Sequence, residues 1–172
     1  MACSCIIRRN QIEPKGRIFF TYKMFNKYSI LSNEHPTRLF VFGRFFNCVE
    51  QSFFYQKMLH NGCSERSIND LMNCRNGQEA RLLGTQVHTI NYNWETHTRL
   101  NVMFTILNTR FYQDKNFQNV LLATGRHELH EILSSNFWGY GMGLGKSHTG
   151  KMLCQIRDNH YKSVEDGSIC SN

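Results

Sequence analysis

The first dense hydrophobic run is Ile18-Phe19-Phe20-Thr21-Tyr22, and its aromatic and β-branched residues predict a strand. Asn26 to Pro36 is polar and rich in turn formers, so it reads as a loop. Arg38-Leu39-Phe40-Val41-Phe42, then Gly43, then Arg44-Phe45-Phe46 predicts two further strands about a turn. The three strands are expected to form a small N-terminal antiparallel sheet. Beyond them the pattern turns helical. Val49 to His60 is apolar on more than one side, which predicts a deeply buried helix stopped at Asn61-Gly62. Ser64 is placed to cap a helix over Glu65 to Cys74, and Gly77 to Gly84 is another short helix.

The longest predicted helix runs from Trp94, with Asn93 as its N-cap, to about Lys115. Leu100, Met103, Phe104, Leu107 and Phe111 repeat at helical spacing and form its core stripe. Trp94 lies off the regular continuation of that stripe, so it is free to face a site. Phe117 to Ala123 predicts a helix ending near Gly125, Leu129 to Leu133 a short strand or turn, and Gly150 to Tyr161 the last helix. No internal repeat or linker divides the chain. The expected fold is α+β: a predominantly helical single domain over 18–161, with polar tails at 1–17 and 162–172.

Composition narrows the class. At 172 residues, 41% hydrophobic and 19% charged, the chain can build a core and is not a disordered segment. Its formal charge of +7 favours anionic partners such as nucleotides, nucleic acid or phosphorylated metabolites. The cations are dispersed rather than clustered in a run. The seven cysteines form no C-x-x-C pair and no zinc framework. Met1 to Asn10 has no apolar signal-peptide core, and no stretch has the length of a membrane span. Reduced thiols and a cytoplasmic location are the expectation.

Two motifs nearly match known chemistry. In His127-Glu128-Leu129-His130-Glu131 the histidines are three apart, whereas a zinc-protease helix needs them four apart, so no metal is expected. Phe137-Trp138-Gly139-Tyr140-Gly141-Met142-Gly143-Leu144-Gly145-Lys146-Ser147 resembles a phosphate loop, but Tyr140 stands where a Walker loop needs its first glycine. Aromatic rings beside glycine amides still suit a ligand that carries both a ring and a phosphate. On the Val49–His60 helix, Glu50 and Lys57 are two turns apart on one face. A carboxylate and an amine there read either as structural charges or as the acid–base and nucleophilic groups of a pocket.

The order of several fragments resembles the YbiA-like, or NADAR, domain family. They are Leu31-Ser32-Asn33, Glu50 with Gln56-Lys57, Ala80-Arg81-Leu82-Leu83-Gly84, Asn93-Trp94-Glu95, Arg110-Phe111, Leu129-His130-Glu131, Phe137-Trp138-Gly139 and Gly143-Leu144-Gly145-Lys146. The resemblance implies an N-glycosidase that cleaves the C1′–N bond of a phosphorylated riboside, either a riboflavin-pathway intermediate or an ADP-ribosylated base, free or in nucleic acid. It needs no cofactor. Glu50 and Lys57 are then the catalytic pair. Trp94 and Trp138 enclose base or ribose, Ser32, Asn33 and Ser135 contact the ligand, and Gly139, Gly143, Gly145 and Lys146 hold its phosphate. The chain departs from the family pattern at Ser135, where Asp is usual, and at Ser147, where Asn is usual. Two alternatives stay open: a nucleotide or ADP-ribose binding module without turnover, motivated by those departures, and a basic nucleic-acid-binding protein, motivated by the net charge alone.

Overall fold

A computed structural model describes residues 16–88, 91–141 and 143–167. In chain order the elements are β1 (Arg17–Phe20), a 3-10 turn (Lys27–Leu31), β2 (Leu39–Val41), β3 (Arg44–Phe46), α1 (Val49–His60), α2 (Glu65–Met72), α3 (Gly77–Thr85), a π-helical turn (Trp94–Thr98), α4 (Arg99–Gln113), α5 (Lys115–Leu122), β4 (Glu128–Glu131) and α6 (His148–Glu165). The fold is α+β and mostly helical.

The caps explain most boundaries. Cys48, Ser64, Asn76 and Asp114 each accept an N–H of the first turn of the helix that follows, through Sγ, Oγ, Oδ1 and Oδ1. Asn93 makes no such bond. Asn91 sets that entry instead, its Oδ1 accepting from the amides of Asn93 at 3.0 Å and Trp94 at 3.3 Å. The expected single helix from Trp94 thus begins as a wider π turn, with the Trp94 side chain buried. The last helix starts at His148 and reaches Glu165, so 162–165 belongs to it and not to a tail. Arg17 opens β1, and the remainder of the expected N-terminal tail, apart from Gly16, lies outside the described residues.

The sheet differs from the expectation. β2 and β3 do form an antiparallel hairpin, with Leu39 opposite Phe46 and Phe40 opposite Phe45. β1 does not join them. It pairs in parallel with β4, Phe20 opposite Glu131. A parallel partner so distant in sequence leaves no local turn signal. The core lies between α1 and α4 and is closed by β1, β4 and α6, with Phe20, Phe46, Val49, Met103, Ile106, Leu107, Phe111 and Leu153 buried in it. Met103, Leu107 and Phe111 bear out the predicted stripe, while Leu100 and Phe104 pack at its margin.

Candidate functional site: a tryptophan-walled cavity on the first helix

One cavity of about 300 Å³ opens over the inward face of α1. Its walls include Glu50, Phe53 and Lys57 of α1, Arg81 and Thr85 of α3, Trp94 and Glu95 of the π turn, and Arg99 and Met103 of α4. Asn33 and the segment Leu133-Ser134-Ser135 with Trp138 close it. Six of the residues singled out from the sequence therefore meet here: Asn33, Glu50, Lys57, Trp94, Ser135 and Trp138.

Helix periodicity brings the α1 residues together. Glu50, Phe53 and Lys57 follow at i, i+3 and i+7, one stripe of a helix, and two turns separate the ends by about 10 Å. Phe53 lies between the two tryptophans, its ring 5.4 Å from that of Trp94 and 5.2 Å from that of Trp138. Trp94 is also held by His60 at 5.2 Å. The result is an apolar, aromatic wall with a carboxylate at one end and an amine at the other.

The two charged groups are held differently. Glu50 is buried, and its Oε1 accepts from Arg81 Nε at 2.7 Å. Burial raises the Glu50 pKa, and the Arg81 guanidinium opposes that rise. Arg81 also pairs with Glu34 through Nη2 at 3.1 Å, so one guanidinium serves two carboxylates. Lys57 Nζ donates to the Gly84 carbonyl at 3.1 Å. Burial lowers its pKa below that of an ordinary lysine, with Glu95 acting against the change. A higher carboxyl pKa and a lower amine pKa bring both groups nearer to neutral pH, the range in which proton transfer and amine attack are effective.

Glu131, on β4, lies behind this face. It is fully buried, and its Oε1 accepts from Ser32 Oγ at 2.8 Å and from the Asn33 amide at 3.1 Å. Burial first, and the nearby Glu50 second, push its pKa up to about 7. Its carbonyl accepts the Tyr140 amide at 2.8 Å. Glu131 thus ties the Ser32-Asn33 turn to the tryptophan loop. Asn33 lines the cavity, and its Oδ1 is buried without a hydrogen-bond partner in the protein. Ser32 is committed to Glu131 and does not line the cavity.

Of the described residues of the glycine-rich loop, Trp138 lines the cavity and the glycines and Lys146 do not. Gly139, Gly143, Gly145 and Lys146 donate their amides to carbonyls of Ser135, Tyr140, Tyr140 and Asn136, so these N–H groups are not bare. Gly141 and Gly143 have positive φ of 57° and 95°, which lets the loop fold onto itself. Lys146 Nζ stands 5.8 Å from the Phe137 ring centre, and the Arg99 guanidinium lies 3.7 Å from the same centre. Arg99 lines the cavity and is paired with Glu95, whereas Lys146 is not among the lining residues. Ser135 Oγ accepts the Trp138 amide at 3.2 Å, which orients that tryptophan. Ser147 is left-handed at φ 52° and approaches His130 Nδ1 at 3.2 Å.

Arg81, Glu34, Glu95, Arg99 and Glu131 have roles here that no motif in the sequence announces. Arg81 carried a signal: it lies between Ala80 and Gly84, small residues one turn apart through which α3 packs closely on α1. Among the described residues no cluster of side chains suits a metal ion, and no helix is long and apolar enough to cross a membrane. Cys48, Cys63, Cys74 and Cys154 are free thiols, and the other three cysteines lie outside the described residues.

Fold and cavity together define a class, a single α+β domain with a small-molecule pocket built on its first helix. The chain belongs to the NADAR domain family, whose pattern it matches over residues 19–160. That family is linked to N-glycosidase activity. The fold is similar to that of the NMR structure of the E. coli protein YbiA, with a TM-score of 0.75, 23% identity, and coverage of 96% of this chain and 95% of that one. A comparison with curated proteins finds no match.

Proposed function

We propose that the protein is an N-glycosidase that hydrolyses the C1′–N bond of a phosphorylated riboside, a riboflavin-pathway intermediate or an ADP-ribosylated base. The observation that carries this reading is the convergence of Glu50 and Lys57, their pKa values moved towards each other, in one cavity walled by Trp94, Phe53 and Trp138. At about 300 Å³ the cavity is at the lower limit of small-molecule sites. It suits a riboside whose phosphate extends past Arg99 towards Lys146.

Loss of the base builds positive charge on C1′ and O4′ of the ribose. The Glu50 carboxylate would stabilise that charge, or take a proton from the water that forms the new C1′–O bond while the base leaves with its electron pair and a proton. The uncharged Lys57 amine offers a second route. It adds to C1′ as the base leaves, the C1′–O4′ bond opens to an imine, and water returns the free sugar and the amine. The aromatic wall excludes bulk water, which strengthens both interactions.

The test is incubation with riboflavin-pathway ribosides and with ADP-ribosylated guanosine or DNA, scored for free base. Release by the wild type and loss in Glu50→Gln supports the reading. Folded protein that releases no base from any of them refutes it. Calorimetry with ADP-ribose separates a second reading, binding without turnover. Ser135 motivates it, because its hydroxyl orients Trp138 but supplies no carboxylate to the cavity.

A further inference from the structure

The β2–β3 hairpin has an unusual outer face. In a two-stranded antiparallel ribbon the side turned to solvent is normally polar. Here Phe40 and Phe45 are cross-strand partners on that side, their ring centres 4.9 Å apart, with exposures of 45% and 53%. Phe42, at the turn, is also exposed. Its φ is 53° and that of Gly43 is 76°, so a large aromatic residue occupies a left-handed position that Asn or Gly fills more readily. The hairpin is also braced. Phe40 donates its amide to Gln113 Oε1 at 2.9 Å and accepts from Gln113 Nε2 at 2.8 Å, which fixes the strand to α4.

Cations accompany the rings. The Arg38 guanidinium lies 4.3 Å from the Phe45 ring centre, and that of Arg44 lies 4.7 Å from the Tyr55 ring centre. Among the described residues neither has a carboxylate partner. Arg38 and Phe45 also form one wall of an open groove of about 650 Å³, with Asn76, Gly77 and Arg75, the last paired with Glu79 at 2.8 Å, on the other. Glu34 lies in that groove with its carboxylate already paired to Arg81. Exposed rings on a braced support, next to a groove bearing arginines on a chain of net charge +7, are the two parts that single-stranded nucleic acids require: a stacking surface for bases and a cationic track for phosphates.

We propose that the outer face of this hairpin, formed by Phe40, Phe42 and Phe45 with Arg38, binds single-stranded nucleic acid by base stacking. Arg38, with the exposed Arg75 opposite it, carries the strand backbone along the adjoining groove. This surface is separate from the Trp94–Trp138 cavity and does not depend on what that cavity binds.

The test is fluorescence anisotropy with a labelled oligodeoxythymidylate and with a duplex of equal length, both at low and at physiological salt. The single strand should bind more tightly than the duplex, and more weakly as salt rises. Phe40→Ser and Phe45→Ser should each reduce affinity roughly tenfold. Arg38→Gln should flatten the salt dependence. The replaced side chains are exposed, and circular dichroism melting checks that each variant is folded; should a Phe variant unfold, Arg38→Gln still reads the proposal. Undetectable binding by the wild type, equal binding by all three variants, or tighter binding to duplex overturns it. So does sedimentation showing that the wild type dimerises through this face and that Phe45→Ser makes it a monomer.

Discussion

Arg81 Nε lies 2.7 Å from Glu50 Oε1, so the carboxylate with the strongest claim to chemistry is held by a residue from a different helix. The same guanidinium reaches Glu34 at 3.1 Å. Arg81→Met would leave two buried carboxylates without their cation. A loss of about 3 kcal/mol in denaturant unfolding is expected at neutral pH. Pairing the change with Glu50→Gln should restore part of it, because one of the stranded charges is then gone. A double variant no more stable than Arg81→Met would show that the Glu50–Arg81 pair is not coupled.

Lys57 provides a chemical prediction. With its pKa lowered by burial, a larger share of the amine is uncharged at neutral pH than for a surface lysine. Borohydride added during turnover should trap a sugar adduct on Lys57, detectable by mass spectrometry, if the amine route operates. Lys57→Arg should abolish both the adduct and the turnover. Turnover that survives in Lys57→Arg would assign the chemistry to Glu50 and water alone.

Glu131 makes stability depend on pH. Its carboxyl pKa is raised from 4.5 to about 7, so the folded state holds this proton more tightly than the unfolded chain does. The stabilisation from the protonated group is complete below about pH 4.5 and is lost as pH rises through 7. Glu131→Gln keeps an acceptor for Ser32 and the Asn33 amide but cannot ionise. Unfolding free energy measured from pH 5 to 8 should fall less steeply in that variant than in the wild type. Parallel curves would remove Glu131 as the source.

Gly84 shows how closely α3 approaches α1. A Cβ at this position would overlap the Phe54 ring, whereas the same change on an open helix would be favourable. Gly84→Ala should therefore destabilise the fold by about 1–3 kcal/mol. It should also disturb the carbonyl that accepts from Lys57. A melting temperature equal to or above that of the wild type would contradict the packing described.

The hairpin turn should respond in the opposite direction. Phe42→Asn creates Asn-Gly at a turn in which both residues have positive φ. A gain of about 0.5–1 kcal/mol is expected, read as a rise of a few degrees in melting temperature. An unchanged or lower value would mean that the Phe42 ring makes contacts that offset its backbone cost.

The local rules of the chain were legible in its sequence. Val49 to His60 is legible as a helix because Asn61-Gly62 ends it and its apolar residues surround the axis. Ser64 is legible as a cap because a hydroxyl before a polar first turn has one useful partner, the amide three residues on. The stripe of α4 and the alignment of Glu50 with Lys57 follow from helix periodicity alone. Family membership could also be read directly, since it rests on the order of short fragments.

Tertiary structure decided the rest. The pairing of β1 with β4 joins segments that no turn connects, so nothing local announces it. The role of Arg81 depends on α3 docking against α1, and the raised pKa of Glu131 depends on burial that only the assembled core provides. The glycine-rich loop is the clearest division. Its composition established that the backbone would bend tightly there. Whether its amides would face a ligand or their own neighbours depended on how the loop closes, and Gly139, Gly143 and Gly145 donate theirs to the nearby carbonyls of Ser135 and Tyr140. For groups such as Arg81 and Glu131 the partner is distant in sequence, and no local pattern marks it, because it is brought to them by the packing of the whole chain.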